Sequence, residues 1–95
     1  MQDVREAIVE NAFRRWCEAN GHRCLKLTLE GRRGFPDRTV ITANGRTAFV
    51  EFKRPGGGTV SRQQAEWGDD LKRRGAPYLL TDSTDEAIQF IESLN

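Results

Sequence analysis

No apolar run in this 95-residue chain approaches the roughly 20 residues of a membrane-spanning helix. The opening MQDVREAIVE contains nothing like the apolar stretch of a secretory leader. An intracellular, cytoplasmic protein is therefore expected. Cysteine is scarce. Cys17 and Cys24 stand seven residues apart with no CxxC and no His–Cys cluster, which argues against a zinc framework and predicts two reduced core thiols. The glycines of Pro55-Gly56-Gly57-Gly58 are not followed by Gly-Lys-Ser/Thr, so they make no phosphate-binding P-loop. There are no repeats, low-complexity tracts or linkers, and residues 75–95 carry four acids and no base.

Hydrophobic residues at 37% and charged residues at 31% describe an ordinary globular chain, and the length allows a single domain, 1–95, with one modest core. The net charge of +1 conceals an asymmetry. Residues 23–62 hold nine Lys or Arg against three acids, and twelve of the fifteen cations are Arg, whose planar fork suits phosphate. A solvated basic face and a nucleic-acid surface both fit that charge. Helical spacing of Val4, Ile8, Val9, Ala12, Phe13 and Trp16, stopped by Asn20-Gly21, predicts a helix over 3–20. Alternation in HRCLKLTL predicts a strand over 22–29, and two more runs, 37–43 and 46–53, flank Asn44-Gly45. Ser61 caps a helix reaching Arg74 and closed by Gly75, PYLLT reads as a short buried strand, and Ser83 caps a last helix. The order α-β-β-β-α-β-α predicts an α/β domain with a central mixed sheet flanked by helices.

Two acids and a lysine stand out in that order. Asp37 opens one arm of the hairpin, while Glu51 and Lys53 close the other, two apart and so on one strand face. Neighbouring carboxylates repel unless a cation lies between them, and a divalent ion with oxygen ligands is the usual solution. A lysine beside such a pair orients a water or offsets charge on a phosphate. Phe52 points to the opposite face, which leaves its backbone carbonyl available as a ligand. The competing reading is a solvated Glu51–Lys53 pair at a strand end. Gln64 weighs against it, because it shares a helix face with Trp67, Gly68 and Leu71, and an amide buried there needs partners. On the first helix, Glu6, Glu10, Phe13 and Cys17 form a stripe at the margin of the apolar face. Each of the two acids is either a solvated helix residue or a carboxylate reaching toward the sheet.

The turn decides whether the acids meet. A two-residue type I′ loop at Asn44-Gly45 would set Asp37 opposite Phe52 and turn it away from Glu51. A three-residue loop, Ala43-Asn44-Gly45, with Gly45 left-handed in a G1 bulge, shifts the register by one. Thr42 then faces Arg46, Thr39 faces Phe49 and Asp37 faces Glu51. The bulged loop is the expectation.

A glutamate on the first helix, GFPD, VEFK, a Gly-rich loop and then SRQQAEW together resemble the VRR-NUC family, the virus-type replication-repair nucleases of the PD-(D/E)xK superfamily, over roughly residues 6–90. The resemblance implies a restriction-endonuclease-like core and Mg2+- or Mn2+-dependent cleavage of DNA. For some stand-alone members it also implies a preference for branched DNA such as four-way junctions. Short members of this kind are typical of phages and bacteria. By the same resemblance Asp37 and Glu51 are metal ligands, joined by the Phe52 carbonyl, Lys53 is the catalytic lysine, and Gln64 is the glutamine of the following helix. The helix-1 acid is Glu6 or Glu10, with Glu10 favoured by its distance from Gly21. Arg32, Arg33, Arg38 and Arg54 flank the acids as candidate contacts to the DNA backbone. The implied function is a divalent-metal-dependent DNA endonuclease. A junction resolvase proper is its narrower form, and a DNA-binding module with a vestigial site is the rival from another class. A homodimer is expected, since a two-fold junction needs two cuts.

Overall fold

A computed structural model describes residues 2–94. Its elements are α1 (Val4–Ala19), β1 (Arg23–Leu25), β2 (Arg38–Ile41), β3 (Thr47–Phe52), α2 (Arg62–Arg73), β4 (Tyr78–Thr81) and α3 (Thr84–Glu92). They follow the α-β-β-β-α-β-α order that the sequence predicts. The strands form one sheet in the order β1-β2-β3-β4, antiparallel except for the parallel β3–β4 pair joined through α2. Each helix starts at a side-chain cap: Asp3, Ser61 and Ser83 accept the orphan N–H groups of Arg5, Gln64 and Glu86.

Strand parity sorts the two faces. Even-numbered Val40, Ala48, Val50 and Phe52 are buried with Phe13, Cys17, Ala87 and Ile91, so α1 and α3 cover that face and the main core lies there. The Phe13 and Phe52 rings are 5.6 Å apart, and the Thr84 hydroxyl donates to the Val9 carbonyl, locking α3 to α1. Cys17 and Cys24 are free and buried in this layer. Odd-numbered residues of β2 and β3 face α2, as does Tyr78 of β4, which pairs with Phe49 and whose ring lies against Gly68.

β1 is shorter than the predicted 22–29. It pairs with β2 only as far as Leu25 opposite Thr39, and the chain departs before Lys26 gains a partner. The hairpin follows the bulged expectation. Arg38 faces Val50, Thr39 faces Phe49 and Ile41 faces Thr47. The loop is closed by Thr42 N–H donating to Arg46 O (2.7 Å) and Gly45 N–H to Thr42 O (2.8 Å). Gly45 has φ 86°, where a Cβ would be strained. That register brings Asp37 opposite Glu51.

Candidate active site

The site begins with a loop fixed on three sides. Gly34 (φ 84°) sits so close to α2 that a Cβ there would come within 2.5 Å of the Gln63 carbonyl carbon. Phe35 meets the Trp67 ring edge-on at 5.0 Å and the Phe49 ring at 5.8 Å. Trp67 Nε1 donates to the Arg33 carbonyl at 3.0 Å. Pro36 is fully buried behind them. Gly34, Phe35 and Trp67 thus hold the chain as it enters β2, and Asp37 leaves this clamp at a fixed point.

Asp37 is half-buried, and its Oδ2 accepts the Phe52 N–H at 2.8 Å. Glu51 is 0% exposed, and neither of its carboxylate oxygens has a hydrogen-bond partner. Burial first, and then the close approach and negative charge of the Asp37 carboxyl, push the Glu51 carboxyl up to about 10. A third orphan, the Thr39 hydroxyl, is buried on the same odd face. Buried polar atoms without partners are rare because each costs about 1–3 kcal/mol. A carboxylate pair in which Glu51 has no donor for its lone pairs fits a hard cation, which would restore the ionised form of Glu51 and join it to Asp37. Among the described residues no three His, Cys, Asp or Glu side chains converge into a closed metal site. Two carboxylates with no nitrogen or sulfur donor beside them suit a hard, oxygen-seeking cation better than zinc. Phe52 itself is core, so its peptide is held beside the pair while its ring faces α1.

Lys53 follows β3 on the Glu51 side. It is half-buried, and its backbone N–H continues the sheet by donating to Thr81 O at 3.0 Å. Arg54 and the Gly56–Gly58 turn come next, and Gly56 N–H is held by Asp82 Oδ2 at 3.2 Å.

Three sequence assignments change. Glu10 reaches the sheet rather than solvent, but its partner there is Arg38: it is 2% exposed and accepts from Arg38 Nε at 2.6 Å, from Lys26 Nζ at 3.4 Å and from Gln2. Burial alone would raise its carboxyl, but the Gln2 and Arg38 hydrogen bonds and the Arg38 and Lys26 charges outweigh it and hold Glu10 below the ordinary range. Arg38, expected on the DNA surface, is 8% exposed and committed to that ion pair. Parity explains this, since the residue after Asp37 must point to the α1 face. Gln64, expected in the catalytic set, closes a capping box: its Oε1 accepts the Ser61 N–H at 2.8 Å while Ser61 Oγ accepts its own N–H at 3.1 Å. The amide needs partners, and the helix cap supplies them.

Of the two α1 acids, Glu6 is the one that feels the charge of Asp37. Its carboxyl is raised by partial burial, opposed by the Gln2 hydrogen bond, with Asp37 the strongest repelling charge. Glu6 in turn adds to the repulsion felt by Glu51. Glu10→Gln is therefore expected to destabilise the fold by about 3–5 kcal/mol by leaving Arg38 unpaired. Glu6→Gln should leave the melting temperature within about 3 °C. Thermal melts followed by circular dichroism decide it, and a Glu10→Gln protein melting like wild type would remove Glu10 from the framework.

The chain matches the VRR-NUC domain across residues 2–85. It belongs to the VRR-NUC family. A phage protein carrying the name "Putative nuclease p44", from Acyrthosiphon pisum secondary endosymbiont phage 1, is 39% identical to it over 56 residues, 59% of this chain. The matched stretch spans 60% of that relative's own length. A solved structure described as a VRR_NUC domain superposes with a TM-score of 0.86 at 29% identity, covering 98% of this chain and 100% of the other. Within the VRR-NUC frame, Gly34-Phe35-Pro36-Asp37 and Val50-Glu51-Phe52-Lys53 are the segments that the hairpin register brings side by side. Gly34, Phe35 and Trp67 were missed as a unit by sequence reasoning. The signal was there in a Gly-Phe-Pro next to an acid and a tryptophan on the buried face of the following helix.

Proposed function

We propose that this VRR-NUC protein is a divalent-metal-dependent deoxyribonuclease that cuts phosphodiester bonds in branched DNA. The observation that carries the reading is Glu51, fully buried with two unpartnered oxygens, facing Asp37 on one side of the sheet. Mg2+ or Mn2+ held by Asp37, Glu51 and a backbone carbonyl such as that of Phe52 would supply Lewis acidity and lower the pKa of a water. Asp37 and Glu51 fix where the cation and the scissile phosphate lie. Lys53, beside Glu51, orients the attacking water and offsets charge growing on the phosphate. Glu6 takes the helix-1 role in place of Glu10, acting through a water, and Gln64 serves by fixing the start of α2. Arg32, Arg33 and Arg54 are exposed and suited to the DNA backbone. The name of the phage relative supports nuclease chemistry.

The reading extends to a homodimer that sets two sites on a two-fold junction. Val4 and Ile8 of α1 are 74% and 62% exposed, and Leu25 and Leu27 at the free β1 edge are 38% and 44% exposed. These are apolar groups that a second copy would cover.

The test offers purified protein single-stranded, duplex, flap and four-way DNA with Mg2+, Mn2+ or chelator, with the mass read by light scattering. Metal-dependent cleavage, fastest on branched substrates, is expected from a dimer. Binding without cleavage in every metal would leave a DNA-binding module with a vestigial site. A monomer that still resolves four-way junctions would remove the dimer.

A further inference from the structure

We propose that the cleft between the Arg32–Arg33 loop and α2 seats an unpaired nucleobase of the DNA substrate, a reading that rests on the deoxyribonuclease assignment above. The cleft is an open cavity of about 380 Å³ lined by Arg32, Arg33, Arg74, Trp67, Glu66 and Asp70. Gln63 completes the lining from the first turn of α2. Its walls are held in place by the Trp67 Nε1 bond to the Arg33 carbonyl and by the Phe35–Trp67 contact, the same clamp that sets Asp37.

The mixed lining selects the ligand. Two carboxylates stand among the three arginines, so Arg32 or Arg33 can still meet a phosphate but the cleft as a whole does not favour a run of them. Asp70 is held by Arg73 and Arg74 at 2.9 Å, and Glu66 by Arg62 at 2.9 Å, so both acids are fixed along α2. A nucleobase is neutral. It offers a π face to guanidinium and indole planes, ring acceptors to Arg and Gln63, and amino donors to Glu66 and Asp70. Bases inside a duplex are stacked and paired, so only an unpaired or extruded one reaches such a seat. Arg33 precedes Asp37 by four residues, at most about 14 Å of chain. The seated base therefore lies within a few nucleotides of the cleaved bond. This gives branched DNA a specific place to be recognised, through the unpaired bases of a flap or a base extruded where paired arms meet.

The experiment measures equilibrium binding in EDTA, where no cutting occurs, to a blunt hairpin and to the same hairpin with a single-stranded extension carrying 2-aminopurine. Gln63→Ala and Arg74→Ala change exposed side chains, and circular dichroism verifies their folding. Each is expected to weaken binding of the extended hairpin about ten-fold, to change blunt-hairpin binding less than about two-fold, and to abolish the 2-aminopurine signal. Equal losses on both DNAs would mean the cleft meets only duplex phosphates and would overturn the proposal, as would no loss on either. Failure of the nuclease reading shows separately, as absence of Mg2+- or Mn2+-dependent cleavage in the wild-type protein.

Discussion

Lys53→Ala is expected to slow DNA cleavage by about two to four orders of magnitude while leaving the fold, cation affinity and DNA affinity close to wild type. The side chain has little structural work to lose. Among the described residues no carboxylate lies within ion-pair distance of its ammonium. Its tie to the sheet is the backbone N–H bond to Thr81, which alanine keeps. The companion variant, Asp37→Asn, separates chemistry from architecture differently. Asparagine still offers an oxygen to the Phe52 N–H, so the register survives, but the negative charge facing Glu51 is gone. Cleavage should fall as far, now together with cation affinity measured by calorimetry. The contrast between the two is the informative result. A Lys53→Ala protein that cuts at the wild-type rate would take Lys53 out of the mechanism, and an Asp37→Asn protein that binds Mn2+ normally would take Asp37 out of the ion site.

The parts of this site that could be read from sequence are those governed by short-range rules. Asn44-Gly45 announces a turn, and the requirement that Asp37 and Glu51 share a face selects the bulged form over the regular one. Gly45 at φ 86° and Arg38 opposite Val50 follow that choice. The helix faces were equally accessible, because Phe13 and Cys17, and Gly68 and Leu71, recur at helical spacing and are buried. What escaped were side chains whose role depends on partners distant in the chain. Glu10 and Arg38 are 28 residues apart, and no local pattern pairs them. Parity turns Arg38 away from Asp37, whereas charge alone groups it with the exposed arginines. Gln64 is the opposite case. The Ser61-x-x-Gln64 box is a local signal, and it gives the amide a partner without any site on the sheet. The end of β1 escaped because alternation in HRCLKLTL persists beyond the point where β2 has residues to pair with it.

Glu51 should make the protein's stability depend on pH and on divalent cation together. Its folded-state carboxyl is raised to about 10 from an ordinary 4.5 by burial and by Asp37. Below the ordinary value both folded and unfolded chains hold the proton, and Glu51 contributes no penalty. As pH rises above it, the unfolded chain releases the proton while the folded chain retains it, so the cation-free protein loses stability steadily across the neutral range. The loss is on the order of a few kcal/mol by pH 8.5. A cation between Asp37 and Glu51 replaces that proton, so its affinity should rise with pH. At a hundred times its dissociation constant it should add about 2.7 kcal/mol, or about 10 °C or more in melting temperature for a domain of this size. Melts at pH 5.5 and 8.5, each with EDTA or with Mn2+, read all of this and avoid the acid range in which Glu10 itself is protonated. Glu51→Gln keeps the shape and removes the titratable proton. It should melt higher than wild type in EDTA at pH 8.5, show a flatter pH profile, and respond little to Mn2+. A wild-type protein whose melting temperature is indifferent to Mn2+ at pH 8.5 would mean that Glu51 binds no cation. If Glu51→Gln were also no more stable than wild type in EDTA, the buried carboxylate would be satisfied in solution by some other partner, and the ion site would have to be sought elsewhere.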